Sequence, residues 1–206
     1  MNLVVEDSNA LMEAVLLKKP AILEILIAQH QADPNREVKG GITPLMKATG
    51  PVIIRQLLKY GADINGTDNT KKSVMEYLVE NNGQGIIKIL EEISDPKIDE
   101  AIAIYQKKCE LIEIERIHNN VMNAASKGNM KSFNDNFSKL ISYNNHDFNE
   151  SIIEFLEEGG YEDFYEAAIK AINERIRFKS LSIDTDVTDP EIESLTSLRD
   201  RKMSLS

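Results

Sequence analysis

Cysteine occurs once in this 206-residue chain, as Cys109, and histidine three times. One cysteine excludes an intrachain disulfide and makes a reducing, cytoplasmic compartment the expected home. Basic residues are in deficit: 24 Lys and Arg face 34 Asp and Glu, for a net charge of −10. An acidic chain without basic clusters argues against nucleic acid and against anionic membrane surfaces as partners. Long apolar runs are missing as well. The longest are Ala14–Leu17 and Ala21–Ala28, the second broken by Glu24. Neither approaches the roughly 18–20 residues that span a bilayer. The opening M-N-L-V-V-E-D has no basic stretch ahead of an apolar one, so no cleaved leader is expected. What remains is a chain with 42% hydrophobic residues, enough for a packed core. Its length suits one elongated domain or two small ones.

The same scarcity limits chemistry. A thiol–imidazole pair would have to join Cys109 to His118. On one helix nine residues turn through roughly 900°, which puts the two on opposite faces. Cys109 sits in an apolar stripe, where a small buried residue is expected. His30 stands at a helix end, where it can favour the C-terminal dipole. His146 lies in the polar run N-N-H-D with no second ligand at metal spacing. Gly40-Gly41 belongs to no phosphate loop, and hairpin-tip glycines account for it. Asp184, Asp186, Asp189 and Glu191 lack the spacing and central glycine of a calcium loop. No catalytic residue, cofactor or metal is expected.

The positive signal is a phrase that recurs. Ala32-Asp33-Pro34-Asn35 returns as Ala62-Asp63-Ile64-Asn65, each followed by a polar stretch and then a small hydroxyl residue, Thr43 or Ser73, opening an apolar segment. Asn9, Thr43 and Ser73 open such segments 34 and then 30 residues apart. Repetition at this period marks stacked helix pairs. Thr43 can cap a helix, Pro44 fits its first position, and Leu45 and Ala48 then face inward. A second helix over Val52–Tyr60 turns Ile53, Ile54, Leu57 and Leu58 to the core, and Gly61 is its expected left-handed cap. Pro20–Gln29, with Ile22, Leu23, Ile25, Leu26 and Ile27, plays the same part in the first repeat. Ile86, Ile87, Ile89 and Leu90 do so in the third.

Thr43-Pro44-Leu45-Met46-Lys47-Ala48 resembles the ankyrin-repeat signature T-P-L-H-x-A, whose period is about 33 residues. Val121–Met130 resembles that family's L-H-L-A-A-x-x-G-H-L core, and Ser151–Tyr161 keeps its register. Val121 and Ile153 are 32 residues apart, as are Gly128 and Gly160. The resemblance implies an all-α ankyrin-repeat solenoid of about five helix pairs with hairpin loops. Residues 1–94 would hold repeats one to three, and residues 119–179 degenerate repeats four and five. Phe133 and Phe137 would serve the outer helix of one, and Phe164, Ala167, Ala168, Ala171 and Ile172 that of the other.

Two segments fall outside the pattern. Residues 95–118 read as one long inserted helix, with Ile98, Ile102, Tyr105, Cys109 and Ile112 on a stripe. Residues 180–206 read as a disordered acidic and Ser-rich tail, or a tail with a short helix after Asp189-Pro190.

Such stacks display a concave surface to protein partners more often than they catalyse. Matching the family's variable positions gives Lys39, Gly40 and Ile42 before repeat two. Before repeat three it gives Asn69, Thr70 and Lys72, and at the end of that repeat's first helix Glu80 and Asn81. Further on it gives Ser126 and Lys127, then Asp147, Phe148 and Glu150 before repeat five. Phe148 is either an exposed anchor for an interface or packed on the neighbouring repeat. The expected function is a monomeric, non-enzymatic protein-interaction module or adaptor. An alternative is an enzyme or effector with its activity in residues 95–178. The C-terminal D-P-E-I-E-S-L-T-S-L-R-D-R-K-M-S-L-S also resembles type IV secretion signals of intracellular bacteria, which would make the chain an effector delivered into a host cell; an ordinary tail is the other reading.

Overall fold

The structure, a computed structural model, describes residues 10–180 and 189–200. Asn9, Asp184 and Asp186 therefore lie outside the described residues. The fold divides into two compact units, one ending at Lys108 and the other starting at Cys109.

The first unit is built from short helices joined by extended loops. Helices α1 (Ala10–Leu16) and α2 (Pro20–Ala28) form a hairpin. A single 3-10 turn, Leu45–Lys47, precedes α3 (Pro51–Lys59). Helices α4 (Val74–Asn82) and α5 (Gly85–Glu91) form the next pair. Pro20 and Pro51 open their helices, where a missing N–H costs nothing. Ser73 opens α4 with a capping box: the Glu76 N–H donates to Ser73 Oγ, and the Ser73 N–H donates back to the Glu76 carboxylate at 3.0 Å. The core runs through Leu11, Val15, Leu23, Leu45, Ile54, Leu57, Val74, Leu78, Ile86 and Leu90, all buried.

The recurring phrase has a local physical cause. Asp33 accepts from the Asn35 N–H at 2.8 Å, and Asp63 accepts from the Asn65 N–H at 3.0 Å. Both are Asx turns that redirect the chain out of a helix. Asn35 then reaches one repeat onward: its side-chain amide donates to Gly61 O at 2.9 Å, and its Oδ1 accepts from the Asp63 N–H at 2.7 Å. Gly61 has a φ of 87°, as expected of a left-handed cap.

The second repeat opens on a 3-10 turn where a full helix would stand. Gly50, at φ 81°, breaks the chain just before Pro51. The truncated segment leaves backbone groups that need partners. Asn82 and Asn81 supply them. Asn82 Oδ1 accepts from the Gly50 N–H at 2.8 Å, its amide donates to Ala48 O at 3.2 Å, and the Asn81 amide donates to Met46 O at 2.9 Å.

Helix α6 runs from Pro96 to Ser126, well past the expected end near residue 118. No glycine, proline or capping residue with an exit turn interrupts His118–Ala125, so the segment expected to open repeat four simply continues the helix. Ile98, Ala101 and Ile102 join the first core, and Ile114, Ile117, Val121, Ala124 and Ala125 join the second. The stripe through Cys109 and Ile112 is corrected. Cys109 is exposed, and Ile112 is 57% exposed. Periodicity marks an apolar face but not where along it a covering element ends.

The second unit packs α7 (Met130–Ser142), α8 (His146–Glu158), α9 (Glu162–Ser180) and α10 (Pro190–Asp200) with the end of α6. Phe133 and Phe137 are buried and stacked with centroids 5.5 Å apart, and Phe164 meets Phe133 edge-on at 5.1 Å. Ala168 and Ile172 are buried from α9. Gly128 and Gly160, at φ 68° and 67°, close α6 and α8 in left-handed turns. Only residues 143–145 link α7 to α8, and the Asn145 side chain caps α8 through the Phe148 N–H at 3.3 Å. So short a link holds no hairpin. The described β-bridges both belong to the first unit. Of the two readings of the tail, the short helix after Asp189-Pro190 is the one present among the described residues. It is α10, with Glu191, Leu195 and Leu198 buried.

Candidate protein-binding surface

Two hairpin tips define the surface. The first closes through the Val38–Ile42 bridge and the second through Thr67–Ser73. They stack: the Asn69 N–H donates to Gly40 O at 3.0 Å. Gly41 makes this approach possible. It sits at φ 75°, and a Cβ there would lie 2.6 Å from the Asn69 side-chain oxygen. Gly41→Ala should therefore both strain the backbone and push the tips apart, at a cost of about 1–3 kcal/mol. A urea titration followed by circular dichroism measures it.

The stacking brings Lys39, Gly40, Asn69 and Thr70 into one exposed row. Ile42 is half-buried beneath the first tip. Asp68 anchors the second. It is 6% exposed, and its Oδ1 accepts from the Thr70 N–H, the Thr70 hydroxyl and the Lys72 N–H at 2.8–2.9 Å. Its Oδ2 accepts from the Tyr77 hydroxyl at 2.8 Å. Burial opposes ionisation, but the hydrogen bonds from Thr70, Lys72 and Tyr77 outweigh it and lower the pKa to about 2. The folded chain thus holds fewer protons here than the unfolded chain between about pH 4 and 2. Stability from this carboxylate is complete above that window and is lost as pH falls through it. Asp68→Asn should be less stable than the parent at neutral pH and should lose less on acidification. Urea midpoints at pH 7, 4 and 2.5 check this.

Beside the tips lies a cluster on α4. Lys72 pairs with Glu80, and that hydrogen bond, against an opposing contribution from burial, raises the Lys72 pKa. The Lys72 Nζ is 4.4 Å from the Tyr77 ring centroid and the Lys47 Nζ 5.7 Å. Both lie within cation–π range. Tyr77 is held by its bond to Asp68, so the ring, both lysines and Glu80 share one surface. Asn81 is exposed, although its amide is occupied by Met46 O. Lys47, Asp68 and Tyr77 were not among the residues expected from sequence. Their spacing from Thr43 and Ser73 placed Lys47 and Tyr77 one helical turn from a cap, but only the hairpin register brings them to Lys72.

The other candidates lie in the second unit. Ser126 and Lys127 are exposed at the end of α6, with the Ser126 hydroxyl donating to Met122 O at 2.9 Å. Asp147, Phe148 and Glu150 were expected in a loop, and instead occupy the first turns of α8. Asp147 is exposed, and Glu150 is half-buried. Phe148 is half-buried, not exposed, with its ring 5.1 Å from His118. His118 Nε2 lies 3.4 Å from Ser151 Oγ, and burial holds the imidazole below its usual pKa against smaller opposing contributions from Asn119 and Glu115. His30 is exposed after α2. Among the described residues no group of three or more His, Cys, Asp or Glu side chains could hold a metal ion. No described helix is long and apolar enough to cross a membrane.

Helix pairs in series, joined by stacked hairpins with a recurrent Asx turn, define the first unit as a short α-solenoid of the interaction type. Residues 8–100 match the family model for ankyrin repeats in three copies, and that part of the chain belongs to the ankyrin-repeat family. The ankyrin repeat is a non-enzymatic, protein-binding fold. No curated protein and no solved structure matches the chain.

Proposed function

We propose that the chain is a non-enzymatic adaptor whose first unit captures a protein partner on its hairpin tips and the adjoining face of α4. The reading rests on the Gly40–Asn69 register, which aligns the exposed tips into one row. The Lys47, Tyr77, Lys72 and Glu80 cluster extends that row with both signs of charge around an aromatic ring. A ring held by Asp68 loses little freedom on binding, which favours its use as an anchor. The partner this face fits presents an acidic side chain toward the lysines and an apolar one toward Tyr77. We place the adaptor in the cytoplasm as a monomer.

Affinity capture from an extract tests the reading. Lys39→Glu combined with Asn69→Ala alters the exposed tips and keeps the Asn69 backbone N–H that stacks them. Proteins retained by the parent chain and lost by this variant are the expected result. Equal retention by both chains places the binding surface elsewhere.

A further inference from the structure

Asn35 joins its repeat to the next by gripping backbone. Its amide donates to Gly61 O at 2.9 Å and its Oδ1 accepts from the Asp63 N–H at 2.7 Å. One side chain thus holds a carbonyl and the N–H two residues further on. The segment it holds alternates exposed and buried, as an extended chain does: Gly61 and Asp63 are exposed, Ala62 and Ile64 buried.

Asn65 is the counterpart of Asn35 in the next phrase, on the same Asx turn. It is exposed, and its side chain makes no hydrogen bond among the described residues. The chain does not bring it a matching segment. Ser94, at φ 54°, follows α5 as Gly61 follows α3, and the N–H of each donates to the carbonyl three residues back. Two residues after Gly61 stands Asp63, the donor to Asn35. Two residues after Ser94 stands Pro96, which has no N–H to give and instead opens α6.

Helix α6 completes the helical layer through Ile98, Ala101 and Ile102. Beside Asn65 it leaves a groove of about 430 Å³. Ile64, Met75 and Ala101 are buried in its lining, and Ile104, 60% exposed, and Tyr105 stand beside them. A further hairpin is not the match for this groove. Gly41 admits Asn69 because it has no side chain, whereas the corresponding position of the second tip is Lys71, at φ 70°. An incoming tip would meet the Lys71 Cβ.

We propose that Asn65 and the groove along α6 form a docking edge for an extended segment of a partner protein. The segment gives Asn65 a carbonyl and, two residues on, an N–H. It turns alternate apolar side chains onto Ile64, Met75, Ala101 and Ile104, in the pattern of Ala62 and Ile64 in the segment that Asn35 holds. None of these residues belongs to the hairpin row, so the edge stands without that reading.

The probe is a peptide of residues 60–67, Y-G-A-D-I-N-G-T, titrated into the full isotope-labelled chain and followed by nuclear magnetic resonance. The Asn65 side-chain amide and the Ile104 signals should shift saturably at millimolar peptide. A peptide carrying Ala62→Asp and Ile64→Asp should bind at least about ten-fold more weakly. Asn65→Ala in the chain, followed at Ile104, should also weaken binding at least about ten-fold, since two hydrogen bonds are lost. Lys72→Glu, which alters the hairpin row, should leave the affinity unchanged. Asn65 is exposed, so its truncation spares the core, and the titration of the unaltered chain decides by itself if a variant fails to fold. No saturable shift at Asn65 overturns the proposal. Affinity lost with Lys72→Glu and kept with Asn65→Ala would assign the peptide to the hairpin row and overturn it too.

Discussion

Phe133→Ala is expected to lower the stability of the second unit by about 3–5 kcal/mol. Phe133 is fully buried on α7, stacked on Phe137 and met edge-on by Phe164. Truncation removes its transfer free energy and leaves a cavity lined by two other rings, which cannot collapse without leaving their own packing. Single domains are stable by only about 5–15 kcal/mol, so the loss is a large share of the total. The effect should also be local, because the buried clusters of the two units are separate. Hydrogen exchange should show lost protection in α7, α8 and α9 and retained protection in α3 and α4. Uniform loss along the chain would mean that the two units unfold as one.

Lys72→Glu should weaken partner capture about ten-fold or more while leaving the fold in place. The exposed pair with Glu80 contributes little to stability, so its removal should not unfold the unit. Its effect on recognition is larger. The change brings a carboxylate beside Glu80 and Asp68, removes the cation nearest the Tyr77 ring, and reverses the charge offered to an acidic partner. Lys72→Ala should fall between the parent and the reversal, since it removes attraction without adding repulsion. Circular dichroism and a capture titration separate folding from binding. Unchanged capture with Lys72→Glu would remove α4 from the surface.

The first unit was legible because its repeats rest on local chemistry. Asp33 and Asp63 make the same turn, and Thr43 and Ser73 open the next segments, so one phrase marks both. Gly61, Gly128 and Gly160 were legible for a similar reason, since each ends a helix in a left-handed turn. The losses came where long-range contacts decide. An asparagine cap in a three-residue link replaced the last hairpin, and moved Asp147, Phe148 and Glu150 onto α8. Cys109 and Ile112 continue an apolar period, but no cover continues with them. In α10 the Asp189-Pro190 start signals the helix, but two leucines among Ser, Thr and Glu do not announce that it is packed. The cations that receive Glu191 stand on α9, and Arg175 is 16 residues away in sequence. Tyr77 and Lys47 were missed because only the stacking of the hairpin tips gives them a common surface with Lys72.

The hairpin row is the centre of the functional account, and site-specific photo-crosslinking tests it most directly. A photoreactive amino acid in place of Thr70, at the exposed second tip, should join the chain covalently to its protein partner on illumination. The same group in place of Glu91, on the exposed side of α5, should not. A crosslinked protein from position 70 alone is the predicted result. Crosslinking from position 91 and none from position 70 would contradict the account.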